Sequence, residues 1–172
     1  MNRIEIRETL DRVQILAAEV DAHVPDRPIV TDFRSDLAGL LVVMTCATYE
    51  TCVKNILYSY AGRHSPLFKV YVENKYEKIN SKIEISDLHT YAKTFHSDLG
   101  KKFKESLNAK SEKYLLKANK DIKQSYTQLL KWRHSFAHTG ARVTTVEEVL
   151  QHHSYAKRVL FIFSDSLRDF LA

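Results

Sequence analysis

Four glycines and three prolines in 172 residues leave this chain few places to turn. Turns consume those two residue types, so their scarcity favours long helices over the many short strands of a sandwich or barrel. The apolar spacing agrees. Ile6, Leu10, Val13, Ala17, Val20 and Val24 recur every three or four residues and predict a helix over 3–24, ended by Pro25 and Pro28. A long second helix is expected over roughly 30–61, its stripe running through Val53, Ile56, Leu57 and Tyr60 until Gly62 closes it. Ser65-Pro66 has the form of an N-cap followed by proline at the first helical position, opening a helix to about Asn80. Ser86 is the candidate cap of a short helix holding Leu88, Tyr91, Ala92 and Phe95. A further helix spans 121–138 and stops at Gly140. Thr144 with Glu147 then fits a capping box for the last helix, whose stripe runs from Val146 through Val149, Leu150, His153, Ala156, Leu160, Phe163 and Leu167 to Phe170. A period of 3.6 nearly throughout predicts an all-α helical bundle, one domain over 1–172, with two long helices packed around the helix over 121–138.

The most apolar run, Leu37 to Tyr49, is about seven residues short of a bilayer span and reads as a buried central helix, so no membrane partner is expected. The charged start, Met1 to Glu8, lacks the apolar core of a secretion signal. Cys46 and Cys52 lie six residues apart on the long helix, roughly 9 Å along its axis, too far for a disulfide. They read as reduced core thiols of a cytoplasmic protein. A reactive-thiol role lacks a neighbour that would lower the pKa.

Charge is distributed unevenly. Residues 101–133 carry ten Lys or Arg against three acids, a local +7 in a chain whose total is +5. Such a concentration is the footprint of a polyanion partner or, more plainly, a solvated lysine-rich face. The stretch 96–120 offers Phe103, Leu107, Tyr114, Leu115 and Leu116 as its candidate anchors, and this sparse set is expected to leave it mobile.

The chemistry-bearing stretch is Leu129-Leu130-Lys131-Trp132-Arg133-His134-Ser135-Phe136-Ala137-His138-Thr139-Gly140. On a wheel started at Ile122, Arg133 falls at about 20°, inside the apolar stripe of Tyr126, Leu129 and Phe136. An arginine there needs a carboxylate, a helix-end carbonyl or an external anion, because an unpaired buried charge costs several kcal/mol. Glu50, which interrupts the apolar second helix, is an available internal partner. His134 and His138, at i and i+4, share one edge of the stripe. Each is open to a plainer reading, as a helix-end residue favoured by the C-terminal dipole or as half of a metal site completed by His152, His153 or Glu147. No Cys-x-x-Cys or His-Glu-x-x-His pattern accompanies them, and no metal or other cofactor is expected. His153, on an apolar stripe, reads as a hydrogen-bonded core residue. Arginine beside two imidazoles suits metal-free phosphodiester cleavage. Imidazoles exchange protons near neutral pH, and a guanidinium offers a fork of donors to a phosphate gaining charge.

Arg133-x4-His138, with polar His134 directly after the arginine, resembles the signature of HEPN domains. The phrase Arg133 to Gly140, together with Tyr49-Glu50 on the long helix, is similar to the RiboL-PSP-HEPN subgroup. The resemblance covers roughly 30–62 and 121–171, and 66–120 looks like a variable lysine-rich insert. It implies a helical bundle, a homodimer that brings two motifs together, and a metal-independent endoribonuclease using the 2′-hydroxyl as nucleophile, plausible as a toxin or phage-defence effector. Carried over, Arg133 and His138 match the two motif residues and His134 the variable polar position, with Glu50 in support. Lys117, Lys120, Lys123 and Lys131 are the candidate RNA contacts, and the implied partners are RNA, a second copy, and an antitoxin or neighbouring-gene protein. Some members are non-catalytic, so the alternative is a module that binds RNA, a nucleotide or a protein through the same basic groove.

Overall fold

A computed structural model describes residues 2–24 and 31–168. Within them the chain forms seven helices and no strand: α1 (Arg3–His23), α2 (Thr31–His64), α3 (Pro66–Tyr76), α4 (Ile85–Phe95), α5 (Ser97–Ala118), α6 (Ile122–Thr139) and α7 (Val146–Arg168). The bundle is all-α. Pro25, Pro28 and Phe170 lie outside the described residues.

α2 is the central element and packs against α1, α3, α6 and α7, while α6 packs on both α2 and α7. The buried residues of α2 recur every three or four positions, from Ala38 and Leu41 to Leu57 and Ala61, and form one broad face toward these neighbours. By length and composition α2 is apolar enough to cross a membrane, which the short run Leu37–Tyr49 did not suggest. Over half of its most apolar window is buried in the bundle. Gly62 does not close α2, which continues to His64 with the Lys69 side chain packed over the glycine. Both cysteines are free and buried, and burial pushes each thiol up to about 12.

The boundaries differ from the sequence expectation where short polar side chains compete for the same backbone donors. α3 starts at Pro66 as expected, but it ends at Tyr76, and Ser65 makes no side-chain cap. α4 is capped by Glu84, in a reciprocal box with Asp87, two residues before Ser86. α7 is opened by Thr145 and Glu148: the Glu148 amide donates to Thr145 Oγ1 at 3.2 Å, and the Thr145 amide donates to Glu148 at 3.0 Å. Glu147, expected in that box, is drawn instead to Arg34. This buried arginine also donates to Asp21 at 2.6 Å and to the Val24 carbonyl at 2.7 Å, tying α1, α2 and α7 together.

The lysine-rich stretch expected to be mobile is the 22-residue helix α5. Leu99, Phe103 and Leu107 bury one face, and Gly100 admits Lys93 of α4 closely. Leu115 and Leu116, counted as anchors, are exposed. Three buried residues at the helix's N-terminal end suffice, because α4 and α7 supply the opposing surface.

The core closes on a polar junction. Tyr49 of α2 stacks on Tyr126 of α6, with centroids 5.4 Å apart, and bonds His153 Nδ1 of α7 at 2.9 Å. With Nδ1 accepting from the tyrosine, the ring proton lies on Nε2, which makes no well-formed hydrogen bond among the described residues. Burial, with the charge of Lys157 adding to it, pushes His153 down to about 4, a backbone contact with Leu10 opposing. The native state therefore resists protonating this ring while the unfolded chain accepts a proton near pH 6.5. Stability from this group is complete above pH 6.5 and falls by roughly 1.4 kcal/mol per unit between pH 6.5 and 4. His153→Gln, which keeps an acceptor for Tyr49 and does not titrate, is expected to flatten the urea midpoint across that window. An unchanged acid slope would place the loss elsewhere.

Candidate functional site

α6 leaves the core as it runs. Ile122, Ser125, Tyr126 and Leu129 are buried, whereas Arg133 and Phe136 are half-buried and His134, Ala137 and His138 exposed. The apolar stripe thus continues in sequence past the point where the bundle covers it. This answers the question of why an arginine sits on that stripe. Arg133 is over the edge of the core, in a cleft, and not inside it.

The cleft has a volume of about 800 Å³ and lies between α2, α6 and the connection from α3 to α4. Glu50 comes from α2, and Lys131, Arg133 and His134 come from α6. Glu50 and Arg133 face the same cavity, and among the described residues no direct ion pair joins them, so the internal pairing that Glu50 offered is not formed. Both charges act on the buried Cys46 thiol at the cleft floor. Burial dominates its raised pKa, with Arg133 pulling it down and Glu50 pushing it up.

His138 does not line the cleft. It lies one turn beyond His134 with ring centroids 4.4 Å apart, on the exposed last turn that Gly140 closes at φ 65°. The remaining candidate metal ligands are committed elsewhere: Glu147 to Arg34, His153 to Tyr49, and His152 edge-on to Trp132 at 4.9 Å. Among the described residues, no group of three or more His, Cys, Asp or Glu side chains converges to hold a metal ion.

The candidate RNA lysines do not form one cluster. Lys131 lines the cleft. Lys123, Thr127, Lys131 and His134 follow one another at three- and four-residue steps along α6, but Lys123 Nζ donates to Asn108 Oδ1 of α5 at 3.3 Å. Lys120 lies toward His152, whose pKa is lowered by burial and then by that lysine. Lys117 is exposed near the end of α5.

Two features of the site escaped the sequence reading. The cleft wall is the segment Ser81 to Ser86, entered through two successive non-glycine residues in the left-handed region, Asn80 at φ 50° and Ser81 at φ 65°. Two tyrosines fix it: Tyr126 donates to the Ile83 carbonyl at 2.8 Å and Tyr91 to the Lys82 carbonyl at 2.7 Å. Asn-Ser next to a lysine was the available signal, since asparagine tolerates that conformation. The second is Gly39. A Cβ there would fall 2.1 Å from the Phe136 ring, so the bare α2 backbone is the seat on which the motif turn rests.

The RiboL-PSP-HEPN family model matches residues 7–169, running through α3, α4 and α5 as well as the motif helix. An all-helical bundle with this motif helix defines a HEPN domain. The chain belongs to the RiboL-PSP-HEPN family. Membership places it among domains with nuclease or RNA-related roles. No curated protein and no solved structure gives a match.

Gly39→Ala is expected to cost about 1–3 kcal/mol, as overpacking against a ring does. In a Phe136→Ala background the same substitution should cost less, because the obstructing ring is gone. Thermal melts of the four proteins check this, and equal costs in both backgrounds would show that the ring is not what Gly39 accommodates.

Proposed function

We propose that this domain is a metal-independent endoribonuclease of the cytoplasm. The observation that carries the reading is the placement of Arg133 and His134 in one cleft, with an imidazole neighbour at His138 and, among the described residues, no carboxylate paired to the arginine. Lys131 in the same cleft adds a contact for the RNA backbone.

In the proposed reaction one imidazole takes the proton of a ribose 2′-hydroxyl, and O2′ attacks the adjacent phosphorus. The O2′–P bond forms and the P–O5′ bond breaks, and a second, protonated imidazole gives its proton to O5′. The products are a 2′,3′-cyclic phosphate and a 5′-hydroxyl. Arg133 places two donors on the phosphorane, whose charge exceeds that of the starting diester, so its bonds strengthen in the transition state. His138 is the base or acid and His134 its complement or a phosphate contact. Glu50, across the cleft, orients Arg133 through its charge. A toxin or phage-defence role, held in check by an antitoxin or neighbouring-gene protein, is the setting we infer for such an activity.

Incubation with RNA in EDTA tests the reading. His138→Ala and Arg133→Ala are each expected to lower cleavage by about 10²–10⁴-fold. His138 is exposed, so its truncation should leave melting within about 1 kcal/mol of wild type. Arg133→Lys keeps the charge and loses the fork, and should melt normally while cleaving poorly. Wild-type cleavage by His138→Ala would remove the centre of the proposal. Retention of RNA without cleavage by the wild-type protein would leave a binding module.

The exposed position of His138 supports a site completed by a second copy. α2 presents Phe33, Leu40 and Met44 on an exposed apolar stripe, and Phe136 and Trp132 are half-buried on α6. A homodimer is expected by light scattering at micromolar concentration, and Leu40→Asp should shift it toward monomer with a parallel loss of cleavage. A wild-type monomer across that range would rule out a composite site.

A further inference from the structure

We propose that a cationic pocket between α1, α5 and α7 is a second RNA contact, an exosite holding backbone phosphates outside the cleft. The inference rests on the ribonuclease reading for its ligand and on different residues for its site. The pocket shares no residue with the cleft and has a volume of about 430 Å³, the scale of one nucleotide unit. Arg3 and Arg7 enter it from α1, Lys110 from α5, and Lys157 and Arg158 from α7.

Its charge is largely uncompensated. Asp11 is the carboxylate in the lining, 3.8 Å from Lys157, and Arg3 is held by Asp165. Among the described residues no carboxylate pairs with Arg7, Lys110 or Arg158. Three like charges converging on one recess repel one another, and a multiply charged anion relieves that repulsion. Arginine forks match phosphate geometry, which favours phosphodiesters over a scatter of single carboxylates.

The pocket also carries an aromatic platform. The Arg158 guanidinium lies 5.6 Å from the Tyr114 ring centroid, and Tyr114 meets Tyr155 edge-on at 6.4 Å. Phe161 and Leu10 supply apolar wall. Cations beside an aromatic ring are what single-stranded RNA engages without sequence preference, the phosphate on the charge and the base on the ring. The pocket gives a role to a basic surface that the cleft does not use.

The test is binding of a 2′-O-methylated, hence uncleavable, single-stranded RNA to the full chain, followed by fluorescence anisotropy from 50 to 200 mM salt. Arg7→Ala/Lys110→Ala/Arg158→Ala is expected to weaken binding at least tenfold at low salt and to reduce the log–log salt slope by about two. A control removing equal charge from the exposed Lys69, Lys78 and Lys93 should change both less. Arg7→Glu alone, at one exposed position, should act in the same direction as the triple variant and covers the case of a folding defect. Poly-glutamate of matched charge should compete far more weakly than unlabelled RNA. The proposal is overturned if wild type binds RNA and the triple variant matches it, if the control variant loses as much, or if poly-glutamate competes as well as RNA. A wild-type protein that neither binds nor cleaves RNA would instead remove the ribonuclease reading itself, and the exosite's ligand with it.

Discussion

Three helices meet at Tyr49, and most of what is distinctive about the molecule depends on how that meeting is arranged. The ring stacks on Tyr126 and its hydroxyl reaches His153, so α2, α6 and α7 are joined by side chains that are fully buried. Burying three polar rings is favourable when their polar atoms are satisfied, and it fixes register because a slipped helix would strand them. The junction does so at the cost of one orphaned nitrogen, His153 Nε2, and of a histidine held neutral far below its usual range. Tyr126 extends the same network outward. Its hydroxyl is spent on the Ile83 carbonyl, so the residue that locks the core also holds the cleft wall. Core geometry and site geometry are therefore coupled through one side chain.

The site itself is a consequence of a length mismatch. α6 is longer than the surface that buries it, and its motif turn projects beyond the last fully covered residue, Leu129. An overhanging helix end is normally free to fray. Here Gly39 lets Phe136 settle against the α2 backbone, and Gly140 terminates the helix in the left-handed conformation with its amide on the Phe136 carbonyl at 2.9 Å. The result is a turn that is exposed and still positioned. The same overhang sets His134 toward the cleft and leaves His138 outside it.

Charge follows a comparable logic. The lysines concentrated in 101–133 do not make a single surface, because α5 and α6 turn them toward different neighbours: Lys123 to Asn108, Lys131 to the cleft, Lys110 to the pocket with α1 and α7. The cationic recess between α1, α5 and α7 combines one residue of that stretch with four from the two ends of the chain. A linear charge count locates the excess and says nothing about where it is focused.

Much was legible from the sequence alone. Helical periodicity and the lack of turn residues gave the all-α class. Ser65-Pro66 and Gly140 marked helix ends that rest on local backbone preference, and the motif Arg133-His134 with His138 gave the family, because these signals are carried by residues close in the chain. His153 as a bonded core residue was readable from its place on an apolar stripe. What the tertiary structure decided is everything that depends on which surface is opposite. It turned a stretch with few anchors into α5, moved Glu147 from a cap to Arg34, left Arg133 and Glu50 facing one cleft without a bond, and made a bare glycine on α2 the seat of the motif. Each of these is settled by a partner distant in sequence, and a hydrophobic or charged side chain carries no mark of how far across the fold its partner will be.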